Sequence, residues 1–108
     1  MTYIDFEAGK EVYKLRLTTR SLIGLEQDLG YSPLQLFGVG DNPKTPSIED
    51  TLKVFKASLK AYHEELKEED VYAIFDNWIE DGHITAEFLA IIIKVYKASG
   101  LLRDNPKN

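Results

Sequence analysis

The spacing of apolar residues changes once along this chain, at Thr18, and that change constrains the fold more than any other feature. Between Thr2 and Leu17 the apolar residues recur at every second position. Ile4 and Phe6 share one face, and after Glu-Ala-Gly-Lys the set Tyr13, Leu15 and Leu17 shares another, with Lys14 and Arg16 opposite. This period predicts a hairpin over residues 2–17 that turns near Gly9. From Thr18 onward the spacing becomes three and four, the period of helices packed through one face. The chain therefore reads as a mainly helical α+β domain, an N-terminal β-hairpin followed by about four helices.

Helix boundaries are written in the punctuation. Thr18 or Thr19 can cap a helix carrying Leu22, Leu25 and Leu29, which Gly30 stops. Ser32-Pro33 then opens a single turn through Phe37, ended by Gly38. Residues 38–46, GVGDNPKTP, hold two glycines and two prolines and form the one long loop. Ser47 to Asp50 resembles a capping box, and behind it Ile48, Leu52, Phe55, Leu59 and Tyr62 fall on one helical face. A third helix, Glu68 to Glu80, groups Val71, Phe75 and Trp78 behind an acidic first turn.

The last helix has Thr85 as its cap and Glu87 in its first turn, and runs to Ser99 before Gly100. Its apolar residues cover more than one face, so it is either central to the fold or shared with a partner. On the second reading Phe88, Ile91, Ile92, Val95 and Tyr96 are the candidate partner-binding residues, with the 38–46 loop as a further candidate surface. Residues 103–108 lose all periodicity and are expected to fray.

A length of 108 residues with 44% apolar and 11% aromatic side chains predicts one domain, residues 1–108, with its own core. No run approaches the ~20 apolar residues that span a bilayer, and the acidic start of the chain does not read as a secretory signal. Cysteine is absent, which excludes disulfides, thiolate catalysis and cysteine-ligated zinc and fits a reducing compartment. Eighteen acidic residues against 13 basic ones leave a net charge of −5, which argues against phosphate-backbone binding and for a protein partner.

"DNWIEDGHITAEF", residues 76–88, imitates the end of a calcium-binding loop. With Gly82 in the loop's glycine position, however, Ile79 replaces a ligand and Phe88 stands where a bidentate Glu is required. The stretch reads instead as a junction of two helices. His63 and His83 lack metal-ligand spacing, and the carboxylates from Glu64 to Asp70 sit in a polar, lysine-interrupted run that reads as solvated. Gly38-Val-Gly40 lacks the rest of a phosphate loop, and no serine has a nucleophile-elbow context. Lys53, Lys56 and Lys60 line one helical face, where Glu49 suggests ordinary helix ion pairing over a nucleic-acid patch. No catalytic residue, cofactor site or metal site is expected, and the chain reads as a non-enzyme.

The stretch "VYKLRLTTRSLIGLEQDLGYSPLQLF" resembles the small tail assembly chaperones of long-tailed bacteriophages and prophages of low-GC Gram-positive bacteria. The likeness continues through "SIEDTLKVFKASLKAYHEELKEEDVYAIFDNWIEDG" and "FLAIIIKVYKASGLL", and so covers roughly Val12 to Leu102. The resemblance implies a protein of the bacterial host cytoplasm that binds the tape measure protein, keeps it soluble, helps recruit tail-tube protein around it and then leaves. Several copies acting along one tape measure chain, or a homo-oligomer, fit that role. The alternative is a structural tail or head-completion protein that stays in the virion. Many members of that family are also made as a longer product by a minus-one ribosomal frameshift. Pro106-Lys107-Asn108 is compatible with a slippery heptamer, which the codons of the gene decide.

Overall fold

The computed structural model describes residues 2–37 and 46–103. Strands β1 (Ile4–Ala8) and β2 (Glu11–Leu15) pair antiparallel, with Ile4 opposite Leu15 and Phe6 opposite Tyr13. That register merges the two apolar sets of the sequence into one face, because residues directly opposite each other across a ladder point the same way. The turn is Gly9-Lys10, and Gly9 adopts φ 63°. A positive φ at the first turn residue alone is the two-residue geometry that matches strand twist, and glycine reaches it without a Cβ clash.

Helix α1 (Thr19–Leu29) starts at Thr18, whose Oγ1 accepts the Ser21 N–H at 3.2 Å, and stops at Gly30, left-handed at φ 78°. A 3-10 turn follows over Pro33–Phe37, with the Ser32 hydroxyl accepting the Leu34 N–H. Then come α2 (Ile48–Leu59), α3 (Glu68–Glu80) and α4 (Thr85–Ala98). The mainly helical α+β class expected from the period change is the class observed. The loop over 38–46 lies, except for Pro46, outside the described residues. So does the tail beyond Arg103.

Three local expectations are corrected. Ile84, not Thr85, caps α4. Its side chain has no acceptor to offer, so the helix is closed from inside, by Glu87 Oε1 accepting the Ile84 N–H at 2.8 Å. Lys67 and Asp70 close α3 in the same way. Ser47 does cap α2 through the Asp50 N–H, but the Asp50 carboxylate turns to the Tyr31 hydroxyl at 2.7 Å, tying α2 to the segment after α1.

The third correction concerns the face that α2 buries. Val54, Phe55, Leu59, Thr51 and Ser58 are inside, whereas Ile48 and Tyr62 are half exposed and Leu52 is partly covered. The two buried hydroxyls explain the offset, since each is satisfied within its own helix: Thr51 donates to the Ser47 carbonyl and Ser58 to the Phe55 carbonyl. Threonine and serine thus count as core residues here, and the buried stripe rotates toward them. The helix also stops at Leu59, whose carbonyl accepts both the Tyr62 and His63 N–H groups, so Tyr62 belongs to the turn.

One hydrophobic cluster gathers residues from every element. Phe88 on α4 is its aromatic centre, meeting Phe6, Phe55, Phe75 and Trp78, and Phe6 on β1 brings the hairpin to it, with ring centroids 4.8 Å from Phe55, 5.5 Å from Trp78 and 6.2 Å from Phe88. Each such side chain, fully buried, contributes about 1.5–3 kcal/mol of transfer free energy. Two long-range polar contacts lock the C-terminal end of α4: the Leu17 N–H donates to Ser99 Oγ, and the Tyr96 hydroxyl donates to the Pro33 carbonyl. With Phe88 packed on Phe6, Phe55 and Phe75 at its other end and Tyr96 packed on Phe37, α4 becomes the central strut of the fold.

Candidate interaction surface

The five residues of α4 expected to meet a partner are not on the surface. Phe88, Ile92, Val95 and Tyr96 are all 0% exposed and Ile91 is partly covered, packed against the same cluster. The apolar excess on this helix is explained by its central position: hairpin, α2, α3 and the 3-10 turn each take a sector of it, so more than one face must be apolar. The partner-facing reading of these residues is therefore corrected to a packing role. The second candidate surface, 38–46, lies outside the described residues but for Pro46.

The exposed face of α2 is the better candidate. It is flanked by two open depressions, one shared with α1 and one with α3, and both include Asp28, Lys53 and Lys56. The depression shared with α3 has a volume of about 430 Å³ and an apolar floor of Leu52 and Val71. Ile48, 50% exposed, and Tyr72, 48% exposed, line it as well. Glu49 and Glu68 supply acidic groups and Lys53 and Lys56 basic ones. Tyr72 is held in place by donating to Glu68 Oε2 at 2.7 Å, and that bond raises its hydroxyl pKa above the ordinary value. An apolar strip with charges along both rims suits one face of an amphipathic helix.

The depression shared with α1 is larger, about 580 Å³, and of different character. Helices α1 and α2 run antiparallel beside it. At one end Lys53 Nζ donates to the Asp28 carbonyl, and at the other the Arg16 N–H donates to the Ser58 carbonyl. Small residues, Ser21, Gly24, Ala57 and Ala61, leave the space between them open.

The remaining motif residues have structural partners. His63 Nε2 accepts the Lys14 N–H at 3.1 Å and its ring packs edge-on against Tyr13, which ties the turn after α2 to β2. His83 lies flat on Trp78 with its Nδ1 3.5 Å from Glu87 Oε1. Asp81, beside Gly82 in the calcium-like stretch, accepts the Gly9 N–H at 2.7 Å and so ties α3 to the hairpin turn. Gly82, at φ 108°, ends α3. Among the described residues no three His, Asp or Glu side chains converge as a metal site. No described helix is long and apolar enough to cross a membrane.

No protein-family model matches this chain, and neither a curated protein nor a solved structure does. The surface on α2 thus stands on its own geometry. Sequence periodicity pointed away from it, because Ile48 shares the helical stripe of Phe55 and Leu59. The available signal was weaker: Tyr72 lies off the Val71–Trp78 stripe, and Gly24 interrupts an otherwise ordinary helix.

Proposed function

We propose that this protein is a phage tail assembly chaperone. It binds the tape measure protein in the cytoplasm of the bacterial host, keeps it soluble and helps recruit tail-tube protein around it. One observation carries the reading. The run from Val12 to Leu102 resembles that family in the order and spacing of its strand, helices, short turn and acidic connector.

Physical chemistry supports the role. A tape measure protein exposes apolar helical faces before the tube encloses them, and those faces aggregate unless covered. The apolar strip at Ile48, Leu52 and Tyr72 is suited to such a face, and the net charge of −5 keeps the resulting complex soluble. A strip this small gives modest affinity per copy. Several copies then act through multivalency, and release stays easy.

Co-expression with the tape measure protein of the same phage tests the reading. The soluble fraction of that protein should rise with the chaperone present. It should fall back toward the unaccompanied level when Ile48 and Tyr72 are both replaced by Glu. A tape measure protein equally soluble alone would remove the basis of the proposal. Abundant copies of this chain in mature particles, measured by mass spectrometry, would assign it instead to the tail or head-completion structure.

A further inference from the structure

We infer that the cleft between α1 and α2 is a docking trough for an acidic helical segment of a partner protein. The first observation is its charge. Four of the 13 basic residues of the chain, Arg20, Lys53, Lys56 and Lys60, line the cleft, against only two of the 18 acidic ones, Asp28 and Glu64. A protein acidic as a whole thus places four of its cations around one concave site, Lys53 among them although it also donates to the Asp28 carbonyl and stands 4.0 Å from Glu49 Oε2.

The second observation is Gly24. It lies inside α1, where glycine costs up to about 1 kcal/mol relative to alanine. Backbone conformation does not require it, since its φ is not among the positive values of this chain. Internal packing does not require it either: a Cβ placed on Gly24 meets no described atom within 4 Å. Gly24 faces the cleft, and its missing side chain serves only to keep that space open. With Ala57 and Ala61 opposite, it allows the backbone of an occupant to come close.

The spacing of the lysines describes the occupant. Lys53, Lys56 and Lys60 stand at i, i+3 and i+7, which spreads their charges over about 10 Å of helix. A second helix laid along them answers with carboxylates at i, i+3 or i+4, and i+7, and with alanine, serine or glycine on the strip facing Gly24 and Ala57. Asp28 and Glu64 stand among the lining at opposite ends of the helix pair and repel carboxylates placed beyond the lysines. Nucleic acid is the poorer fit. A phosphate backbone extends well past the screening length of about 8 Å and so meets the acidic remainder of the surface. A second copy brings the same net charge of −5 to the contact. The inference goes beyond the tail-assembly reading and holds whether or not the partner is a tape measure protein.

The test is an NMR titration of the whole, isotopically labelled protein with a synthetic alanine-rich helical peptide carrying Glu at i, i+3 and i+7. Amide shifts are expected at Ser21, Gly24, Ala57 and Ala61. Affinity should drop at least tenfold in Lys56→Glu/Lys60→Glu and in Gly24→Leu, with unfolding temperature used to verify that both variants fold. Gly24→Leu is the sharper variant, because it fills the trough without changing charge. Equal binding of a peptide with the same glutamates in scrambled order would overturn the inference, as would shifts spread over the whole surface or an unaffected Gly24→Leu variant. A short DNA duplex bound as tightly at the same residues would assign the cleft to nucleic acid. Sedimentation showing a dimer of the peptide-free protein, lost in Lys56→Glu/Lys60→Glu, would assign it to a second copy.

Discussion

His83 lies parallel to Trp78, with ring centroids 4.3 Å apart and an interplanar angle of 8°. Trp78 is the only tryptophan and is 2% exposed, so this imidazole covers one face of a buried indole from the surface side. The contact sits at the α3–α4 junction, where the helix end at Gly82 and the Glu87 cap bring the two rings together. His83→Ala should red-shift the tryptophan emission, increase its quenching by acrylamide and lower stability by about 0.5–1.5 kcal/mol, the range for an aromatic pair. Unchanged quenching would mean that the stack does not shield the indole in solution.

Tyr96 provides a pH prediction with a definite sign. Burial, reinforced by the neighbouring Tyr31 hydroxyl, raises its pKa above the ordinary 10.0. The folded state therefore holds this proton more tightly than the unfolded state does. The stabilisation is complete below the unfolded value and is lost as pH climbs above it. Tyr31, raised by burial and by its bond to Asp50, acts in the same direction. Thermal unfolding followed from pH 8 to 11 should show a steep fall beginning near pH 10. Tyr96→Phe should soften that fall while costing about 1–3 kcal/mol at neutral pH, because the buried Pro33 carbonyl loses its donor.

Gly24→Ala should stabilise the protein by up to about 1 kcal/mol, since helix propensity improves and the added methyl meets open space. Denaturant titration reads the effect as a higher midpoint at unchanged slope. A loss of stability would show that the cleft is closed in solution.

Core and surface roles are distinguished by Phe88 of α4 and Ile48 of α2. Phe88→Ala should cost about 3–5 kcal/mol, as expected for a fully buried phenylalanine at an aromatic centre. Ile48→Ser, at a half-exposed position in the first turn of α2, should change stability by less than about 1 kcal/mol. If the α2–α3 depression binds the tape measure protein, the second variant loses partner binding while remaining folded, a pairing that pull-down and thermal melting can establish together.

Much of this protein was legible in its residues because the signals were local. The hairpin, its turn at Gly9, the caps at Thr18 and Ser47 and the stops at Gly30 and Gly82 depend on neighbours within a few positions, where side-chain oxygens and positive φ decide the outcome. The calcium-like stretch resolved correctly into a helix junction for the same reason. The cap at Ile84 was missed because the group that closes α4 is three residues further on, in Glu87. The buried face of α2 was misplaced because Thr51 and Ser58 look polar in sequence and become core only once their own helix carbonyls satisfy them.

What the sequence determined by itself was the set of elements: period two before Thr18, period 3.6 after it, and the residues that punctuate the helices. Only the tertiary structure decided which apolar surface is spare. An amphipathic stripe records that a face is to be covered, not by what, and the excess on α4 is consumed internally because four other elements surround it. Part of the surface left over lies along α2, where Ile48 and the facing Tyr72 of α3 remain half open and Gly24 of α1 borders an unfilled cleft. Burial is a sum over the whole molecule, so it cannot be read from any one helix.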